Sequence, residues 1–255
     1  MKTRLQVILW PAAGLAVFFG IWHLVSHSLE NAFLLPPPSA VATALVDLIK
    51  QGTLWGDIGA SLKRVLTGFA LAGLLAVPLA LVLAYFVTLR RLVMSVVSLL
   101  RPIPPIAWIP LAMLWFGLGD KPGYFITGLA SFFPIFLNAF AGGLAVEPEH
   151  LNAARCLGAK RWAILRRVYL PSALPSVWTG LRIGLGQAWM AVVTAELIAA
   201  QSGLGFLIQM SRLSLETANV LVGMLVIGVI GALMTAVLTW LERFVLPWRV
   251  NVART

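Results

Sequence analysis

Charged residues are scarce in this chain. Only 11% of its 255 residues are Asp, Glu, Lys or Arg, whereas 60% are hydrophobic. Soluble domains carry about 25% charged residues, so the composition is that of a membrane protein. The chain also has few acidic residues, nine against nineteen basic ones. Because the basic residues concentrate in alternate loops, we attribute the positive charge to membrane orientation and not to nucleic-acid binding.

The sequence lacks the motifs of catalysis and of disulfide chemistry. Its single cysteine, Cys156, excludes an intramolecular disulfide. No G-x-x-x-x-G-K-[ST], H-E-x-x-H or G-x-S-x-G motif occurs. His23 and His27 have the i, i+4 spacing of metal ligands, but no third ligand lies near them in the sequence. We therefore expect no catalytic residue, no metal site and no cofactor held by this chain.

Long apolar runs dominate the chain instead. A helix needs about 20 residues to cross the hydrocarbon core of a bilayer. The runs predict an all-α membrane protein with about six transmembrane helices, at residues 9–25, 67–87, 92–116, 124–146, 177–199 and 220–241. The first run follows Lys2 and Arg4 as a signal peptide does. It lacks a small-x-small cleavage site, so we expect a retained span.

A short amphipathic helix is predicted between the first two runs. Prolines at 36–38 break the pattern, and Ser39 can cap a new helix. Apolar residues then recur on one face up to Ile49, over about 12 residues. This length is too short to span, so the helix lies on the membrane surface or against the bundle. We divide the chain into residues 1–56, with the first span and this helix, a transmembrane core at 57–246 and a cytosolic tail at 247–255.

A polar, basic island interrupts the apolar runs at residues 147–175, which read EPEHLNAARCLGAKRWAILRRVYLPSALP. Its five basic residues are too costly to place in hydrocarbon. Pro148 and its flanking carboxylates favour a helix start, and Gly158 predicts a break. Pro171 and Pro175 predict the end of a second helix before the next span. The island is either a two-helix knob in the cytosol or an ordinary basic loop.

The sequence RPIPPIAWIP at residues 101–110 is the most irregular stretch within the apolar runs. Its prolines forbid a regular helix, and irregular backbone at membrane depth is tolerated only inside protein or beside a wet cavity. Arg101 then marks a transport pathway, or alternatively extends to the cytosolic edge as the start of the helix. The predicted pathway residues are Arg101, Pro102, Pro104, Pro105, Trp108 and Glu196.

The fifth run carries an acidic residue and several glycines. Glu196 points to the bundle interior or sits at the outer mouth, because it is costly facing lipid. Gly180 and Gly184 form a small-xxx-small pair that allows close helix approach, and Gly186 extends this small face.

The distribution of basic residues predicts that both termini are cytosolic. With the amino terminus inside, most Lys and Arg residues outside the spans fall on the cytosolic side. The outer side keeps five basic residues, Lys50, Lys63, Arg64, Lys121 and Arg212. Of these, the adjacent pair Lys63 and Arg64 conflicts most with the orientation, and a different path for residues 39–64 removes the conflict.

The island resembles the EAA loop of ABC-importer permeases, whose pattern is E-A-A, three residues, G, nine residues and I-x-L-P. The residues that carry the resemblance are Ala153, Ala154, Gly158, Leu170 and Pro171, with the conservative Val168. Asn152 stands where the family has Glu. We refer to residues 147–175 as the coupling loop. Further stretches, at 101–120, 132–138, 179–189, 195–208 and 241–248, are similar to permeases for sulfonate, taurine and nitrate.

The resemblance implies the fold and the role of a type I ABC-importer permease in the bacterial inner membrane. Its partners are a second copy of the chain, two copies of a separate ATPase that bind ATP and Mg, and an extracytoplasmic substrate-binding protein. The implied transport is inward, by alternating access.

The implied cargo is a small organic anion such as an aliphatic sulfonate or taurine. Permeases for nitrate, bicarbonate or a thiamine precursor look alike at this level. An exporter or channel component is disfavoured by the coupling loop. An intramembrane enzyme needs facing polar pairs at similar depth, and the sequence offers none.

Overall fold

A computed structural model describes residues 2–29, 31 and 33–249, and the residues it describes are helical without a strand. The α-helices are α1 Lys2–Ser28, α2 Pro38–Gln51, α3 Thr53–Tyr85, α4 Val87–Leu100, α5 Ile109–Phe116, α6 Asp120–Leu144, α7 Pro148–Cys156, α8 Arg161–Ile164, α9 Leu170–Ala199, α10 Leu204–Leu213 and α11 Thr217–Val245. A 3₁₀ turn at Pro105–Trp108 precedes α5, a π-helical turn at Leu165–Tyr169 joins α8 to α9, and a 3₁₀ turn at Pro247–Arg249 follows α11. The predicted all-α class is confirmed.

Four helical segments of the described chain are long and apolar enough to cross a bilayer: α3, α6, the continuous run Trp162–Ala199 and α11. The pair formed by α4 and Pro105–Phe116 is a fifth candidate, although the two halves bend by 87° at the proline-rich stretch. The described apolar part of α1, Ala13–Ser28, is shorter than these. The first predicted span, at residues 9–25, therefore stays a prediction.

The helix α3 begins fourteen residues earlier than the predicted second span, which started at residue 67. Gly52, with a φ of 77°, ends α2 and allows the chain to turn directly into α3. Lys63 and Arg64 consequently lie within a helix and not in an outer loop, so counting them as loop residues was wrong. Arg64 is buried because other elements of the fold supply its partners.

The amphipathic helix packs against the bundle, which was one of the two predicted alternatives. Its buried residues Val41 and Leu48 join a core cluster with Val222 of α11. The helix begins at Pro38, and no side chain caps it, so the prediction that Ser39 caps the helix was wrong. A proline in the first turn is tolerated because its missing N–H has no intrahelical partner there.

The core of the bundle is formed by α6, which packs between α3 and α9. Small residues permit the close crossings: a Cβ added at Gly180 would lie 2.8 Å from Asn138 Cβ, and one at Gly184 2.7 Å from Ile135 Cγ1. The small-xxx-small prediction therefore describes the α6–α9 contact. A Cβ at Gly186 would have no heavy atom within 4 Å, so Gly186 takes no part in the α6–α9 contact.

Pro171 and Pro175 do not end the helix, contrary to the prediction. The helical run continues from Trp162 to Ala199 over 38 residues. The π-helical turn Leu165–Tyr169 ends two residues before Pro171, which lies in the first turn of α9. The wider turn accommodates the proline ring and the missing donor. Further on, the Thr179 hydroxyl donates to the Pro175 carbonyl at 3.0 Å. The second helix of the coupling loop is thus the start of the following span.

The Gly68→Ala substitution tests the tight α3–α6 crossing. The added methyl group would lie 2.7 Å from the Tyr124 carbonyl oxygen and 2.8 Å from the Gly128 amide nitrogen, so we expect a loss of about 1–3 kcal/mol in stability. The thermal unfolding midpoint of the purified protein in detergent measures this loss. Gly228→Ala is the control, because nothing lies within 4 Å of its added methyl group. An unchanged midpoint for Gly68→Ala would mean that α3 and α6 can separate without cost.

Candidate coupling loop and translocation cavity

The turn of the coupling loop is built on Gly158. The helix α7 ends there with two hydrogen bonds, from the Ala159 N–H to the Ala154 carbonyl at 3.0 Å and from the Gly158 N–H to the Arg155 carbonyl at 2.9 Å. This pair is the Schellman motif, which requires a left-handed residue at the position of Gly158. Gly158 has a φ of 76°. The predicted break at Gly158 is therefore present, with the backbone conformation that explains the glycine.

The coupling loop presents large apolar side chains outward. Leu157, next to the glycine, is 88% exposed, and Trp162 at the start of the following helix is 71% exposed. Asn152, at the position where the family has Glu, accepts a hydrogen bond from Arg155 Nη1 at 3.2 Å. Exposed apolar side chains rimmed by polar groups are typical of a protein–protein contact. Sequence reasoning missed Leu157 and Trp162, although their positions beside the glycine were visible.

The base of the coupling loop is held by Tyr169. This residue is 4% exposed and its hydroxyl donates to the Leu81 carbonyl of α3 at 3.3 Å. Val146 at the end of α6 and Ala173 in α9 belong to the same buried cluster as Leu81 and Tyr169. The predicted residues Val168, Leu170 and Pro171 lie on either side of this anchor, within the continuous helix. The loop therefore contacts α3, α6 and α9 where these helices meet.

The proline-rich stretch lies beside two adjoining cavities. The larger cavity has a volume of about 370 Å³ and is lined by Arg101, Ile103, Pro105, Leu129, Ala130, Phe133, Pro134, Leu137, Asn138, Ile183 and Gln187. The smaller cavity has a volume of about 210 Å³ and is lined by Pro105, Ile106, Ile126, Ala130, Gln187, Met190, Ala191 and Thr194. The two cavities share Pro105, Ala130 and Gln187 as lining residues and therefore adjoin each other.

The predicted pathway residues do not all lie at the cavities. Arg101 ends α4 and lines the larger cavity, and Pro105 lines both cavities. Pro102 and Pro104 lie in the irregular backbone between α4 and the 3₁₀ turn but do not line either cavity. Trp108 packs edge-on against Phe125 with ring centroids 6.4 Å apart. Glu196 lies elsewhere, in a buried group of charges.

This group of charges, which we call the ion cluster, consists of Arg64, Asp120 and Glu196 with the polar residues Ser61 and Ser202. Arg64 and Glu196 are each 1% exposed. Arg64 Nη1 donates to Glu196 Oε1 at 2.6 Å and to the Ser202 carbonyl at 2.6 Å. Its Nη2 donates to Asp120 Oδ1 at 2.5 Å and to Ser202 Oγ at 2.8 Å, and its Nε donates to Asp120 Oδ1 at 2.9 Å. All five N–H groups of the guanidinium are therefore used.

The ion cluster also holds the start of α10. Glu196 accepts hydrogen bonds from the Gly205 N–H at 2.9 Å and from the Ser61 hydroxyl at 2.8 Å. Ser61 Oγ in turn accepts from the Leu204 N–H at 2.9 Å. A side chain at Gly203, whose φ is 111°, would overlap the Glu196 carboxylate. Carboxylate and hydroxyl oxygens thus satisfy helix N–H groups that have no partner within α10.

Sequence reasoning did not find the ion cluster, and the statement that no polar pair faces another at similar depth was wrong. Arg64 and Glu196 are 132 residues apart in the sequence. The predicted six-span topology could have indicated the pair, because it places the start of the second span, near Arg64, and the end of the fifth span, near Glu196, on the same side of the membrane. Every charged side chain in the cluster is paired, and the described residues contain no group of three or more His, Cys, Asp or Glu side chains able to hold a metal ion.

The exposed coupling loop, the helical bundle and the lined cavity define a membrane transport subunit. Residues 76–250 match the family described as binding-protein-dependent transport system inner membrane component. The chain therefore belongs to this family and is an ABC transporter permease, a transport component rather than an enzyme. The predicted membership of the ABC-importer permease family is confirmed.

Similar proteins include permeases with different named cargoes. The chain is 38% identical over 244 residues to the taurine transport system permease protein TauC of Escherichia coli, covering 93% of this chain and 89% of that protein. It is 30% identical over 258 residues to the bicarbonate transport system permease protein CmpB of Synechococcus elongatus, covering 96% and 92%. A solved structure titled inward facing conformations of the MetNI methionine ABC transporter matches with a TM-score of 0.59 and 20% identity, over 74% of this chain and 97% of that one. This structural match shows the shared fold.

The Glu196→Gln substitution tests the ion cluster. We expect a loss of about 3 kcal/mol in stability, because the buried Arg64 guanidinium loses one of its two carboxylates. The thermal unfolding midpoint in detergent measures the loss. Lys63→Gln is the control. The Lys63 side chain is 67% exposed, and its Nζ lies 3.6 Å from Asp120 Oδ2 of the ion cluster. Removal of this exposed ion pair should change the stability by less than about 1 kcal/mol. If Glu196→Gln is as stable as the wild-type protein, Asp120 alone compensates the Arg64 charge.

Proposed function

We propose that this chain is the membrane-spanning subunit of an ATP-driven importer for a small organic anion, most closely an aliphatic sulfonate such as taurine. The observation that carries the proposal is the coupling loop, with its glycine-dependent turn and its exposed Leu157 and Trp162. A protruding loop of this kind needs a partner to cover its apolar side chains. We assign that role to a separate ATPase that binds ATP and Mg.

The full assembly in this proposal contains two copies of the chain, two ATPase subunits and an extracytoplasmic substrate-binding protein. Both termini and the coupling loop face the cytosol, consistent with the bias in basic residues. The ion cluster then lies at the extracytoplasmic ends of α3, α6 and α9, because the opposite ends of these helices contact the coupling loop. ATP binding brings the two coupling loops together, and the helices transmit this motion to the cavity by alternating access.

The anion in this proposal passes along the two cavities, with Arg101 as the cation that attracts it. The name of the taurine permease supports an organic sulfonate. The name of the bicarbonate permease, at 30% identity, keeps a small inorganic anion as the second candidate. Arg101 can attract either an organic sulfonate or a small inorganic anion, so transport measurements must distinguish these two cargoes.

Two substitutions of Gly158 test the coupling loop. A left-handed backbone costs a β-branched residue about 1–2 kcal/mol, whereas asparagine tolerates it. We expect Gly158→Val to lose ATPase binding or to hydrolyse ATP without transport, and we expect Gly158→Asn to retain both activities. Co-purification with the ATPase and uptake into proteoliposomes measure the two steps. Normal assembly and uptake by the valine variant would remove the coupling role from this turn.

Reconstitution with the cognate ATPase and binding protein tests the cargo. We expect ATP-dependent uptake and ATPase stimulation with taurine or longer alkanesulfonates, and none with nitrate or bicarbonate. We further expect Arg101→Gln to reduce uptake about tenfold, because the anion loses a hydrogen bond from a charged group. Arg243→Gln is the control, an exposed arginine that lines neither cavity. Stimulation by an inorganic anion alone would retain the transport class and reassign the cargo.

A further inference from the structure

Four polar side chains line the two cavities, and they differ in whether the chain already satisfies them. Asn138 Nδ2 donates to the Pro134 carbonyl at 2.8 Å, and Thr194 Oγ1 donates to the Met190 carbonyl at 3.3 Å. The side chains of Arg101 and Gln187 make no hydrogen bond or ion pair with any residue that the structure describes. These two side chains are therefore available to a ligand.

Gln187 lies near the middle of α9, within an apolar span. A polar side chain at this depth is costly when it faces lipid, so it faces water, a ligand or another chain. Gln187 is exposed, and its neighbour Gly186 has open space around it. It also lines both cavities, whereas Arg101 lines only the larger one. Gln187 thus lies where the two cavities adjoin.

The cavity-lining residues of α9 lie on one face of the helix. Ile183, Gln187, Met190 and Thr194 follow one another at intervals of three or four residues, the spacing that places side chains in one row. The row runs toward the end of α9 that carries Glu196. A ligand moving along α9 between the two cavities must therefore pass Gln187.

We infer that Gln187 and Arg101 form a two-point subsite for the oxygen-bearing head group of an organic anion. The inference rests on the proposed function and names the residues that bind its cargo. A guanidinium and a carboxamide N–H both donate to the several acceptor oxygens of a sulfonate, and donation from the cation is the stronger contact. Neither cavity is lined by an Asp or Glu residue that would repel an anion.

The remaining lining residues select for an apolar group on the anion. Ile103, Phe133 and Leu137 line the larger cavity around the two donors, and Ile106 and Met190 extend the apolar wall in the smaller one. Each methylene group that such a wall removes from water strengthens binding about fourfold. The subsite therefore favours an alkanesulfonate over an inorganic anion that has only the head group.

The test is equilibrium binding of methanesulfonate, butane-1-sulfonate and nitrate to the purified permease–ATPase complex. Titration calorimetry or saturation-transfer NMR gives the dissociation constants. We expect affinity to rise with chain length and nitrate to bind weakest. Gln187→Ala should weaken both sulfonates about tenfold while keeping the chain-length dependence, because only the head-group contact is lost. Gln187→Glu should abolish binding, since the new carboxylate repels the anion and pairs with Arg101.

The control is Gln209→Glu, which adds the same charge on α10 outside both cavities and should bind like the wild-type complex. Wild-type affinity in both Gln187 variants, or no detectable binding to the wild-type complex, would overturn the subsite. The subsite would also be overturned if the Gln187 variants lost the dimer of permease chains while the complexes that remained bound sulfonates with unchanged affinity. Gln187 would then be a contact between the two copies. Uptake by the wild-type complex in proteoliposomes distinguishes failure of the subsite from failure of the proposed function. If only the subsite is wrong, the complex still takes up an organic anion; if the proposed function is wrong, it takes up none.

Discussion

The burial of one positive charge, Arg64, constrains the arrangement of the whole bundle at one end. A guanidinium away from water must have its charge and its five N–H groups matched, or the fold loses several kcal/mol. The partners come from Asp120 at the start of α6, from Glu196 near the end of α9 and from Ser202 in the following loop. Helices that are far apart in the sequence are therefore fixed together at a single point. Gly123 belongs to the same constraint, since a Cβ there would lie 2.8 Å from Arg64 Cδ.

The same three helices meet a second fixed point at their opposite ends, around Tyr169. Buried contacts there join the coupling loop to α3 and α6, and the 38-residue run Trp162–Ala199 connects this point directly to the ion cluster. A continuous helix transmits displacement along its axis more faithfully than a loop does. The π-helical turn and Pro175 are the two irregular places in this run, and both lie close to the coupling loop. The part of α9 that lines the cavities is regular helix.

The cavities lie between these two fixed points, next to the most irregular backbone of the bundle. The prolines after Arg101 bend the α4–α5 segment by 87° and leave α6 and α9 uncovered at this level. The result is a lined space with one cation, one free carboxamide and otherwise mostly apolar walls. Close packing of α6 against α9 at Gly180 and Gly184 holds the two walls in register. The match to the MetNI structure at 20% identity shows that this fold tolerates extensive change in sequence.

The helical class, most of the spans, the break at Gly158 and the family were predictable from the sequence, because they depend on local composition, helix-breaking residues and fixed spacing. Two predictions from local rules were wrong: Pro171 and Pro175 lie within a helical run that contains a π-helical turn, and α3 begins at Thr53, directly after the turn at Gly52. The packing of the helices determined which charges pair, since Arg64 and Glu196 are 132 residues apart. It also decided that Arg101 and Gln187 line the same cavity while Glu196 is buried away from it. The physical reason is that helix formation depends on neighbours in the chain, whereas partners for a buried charge or a cavity come from whichever helices pack side by side.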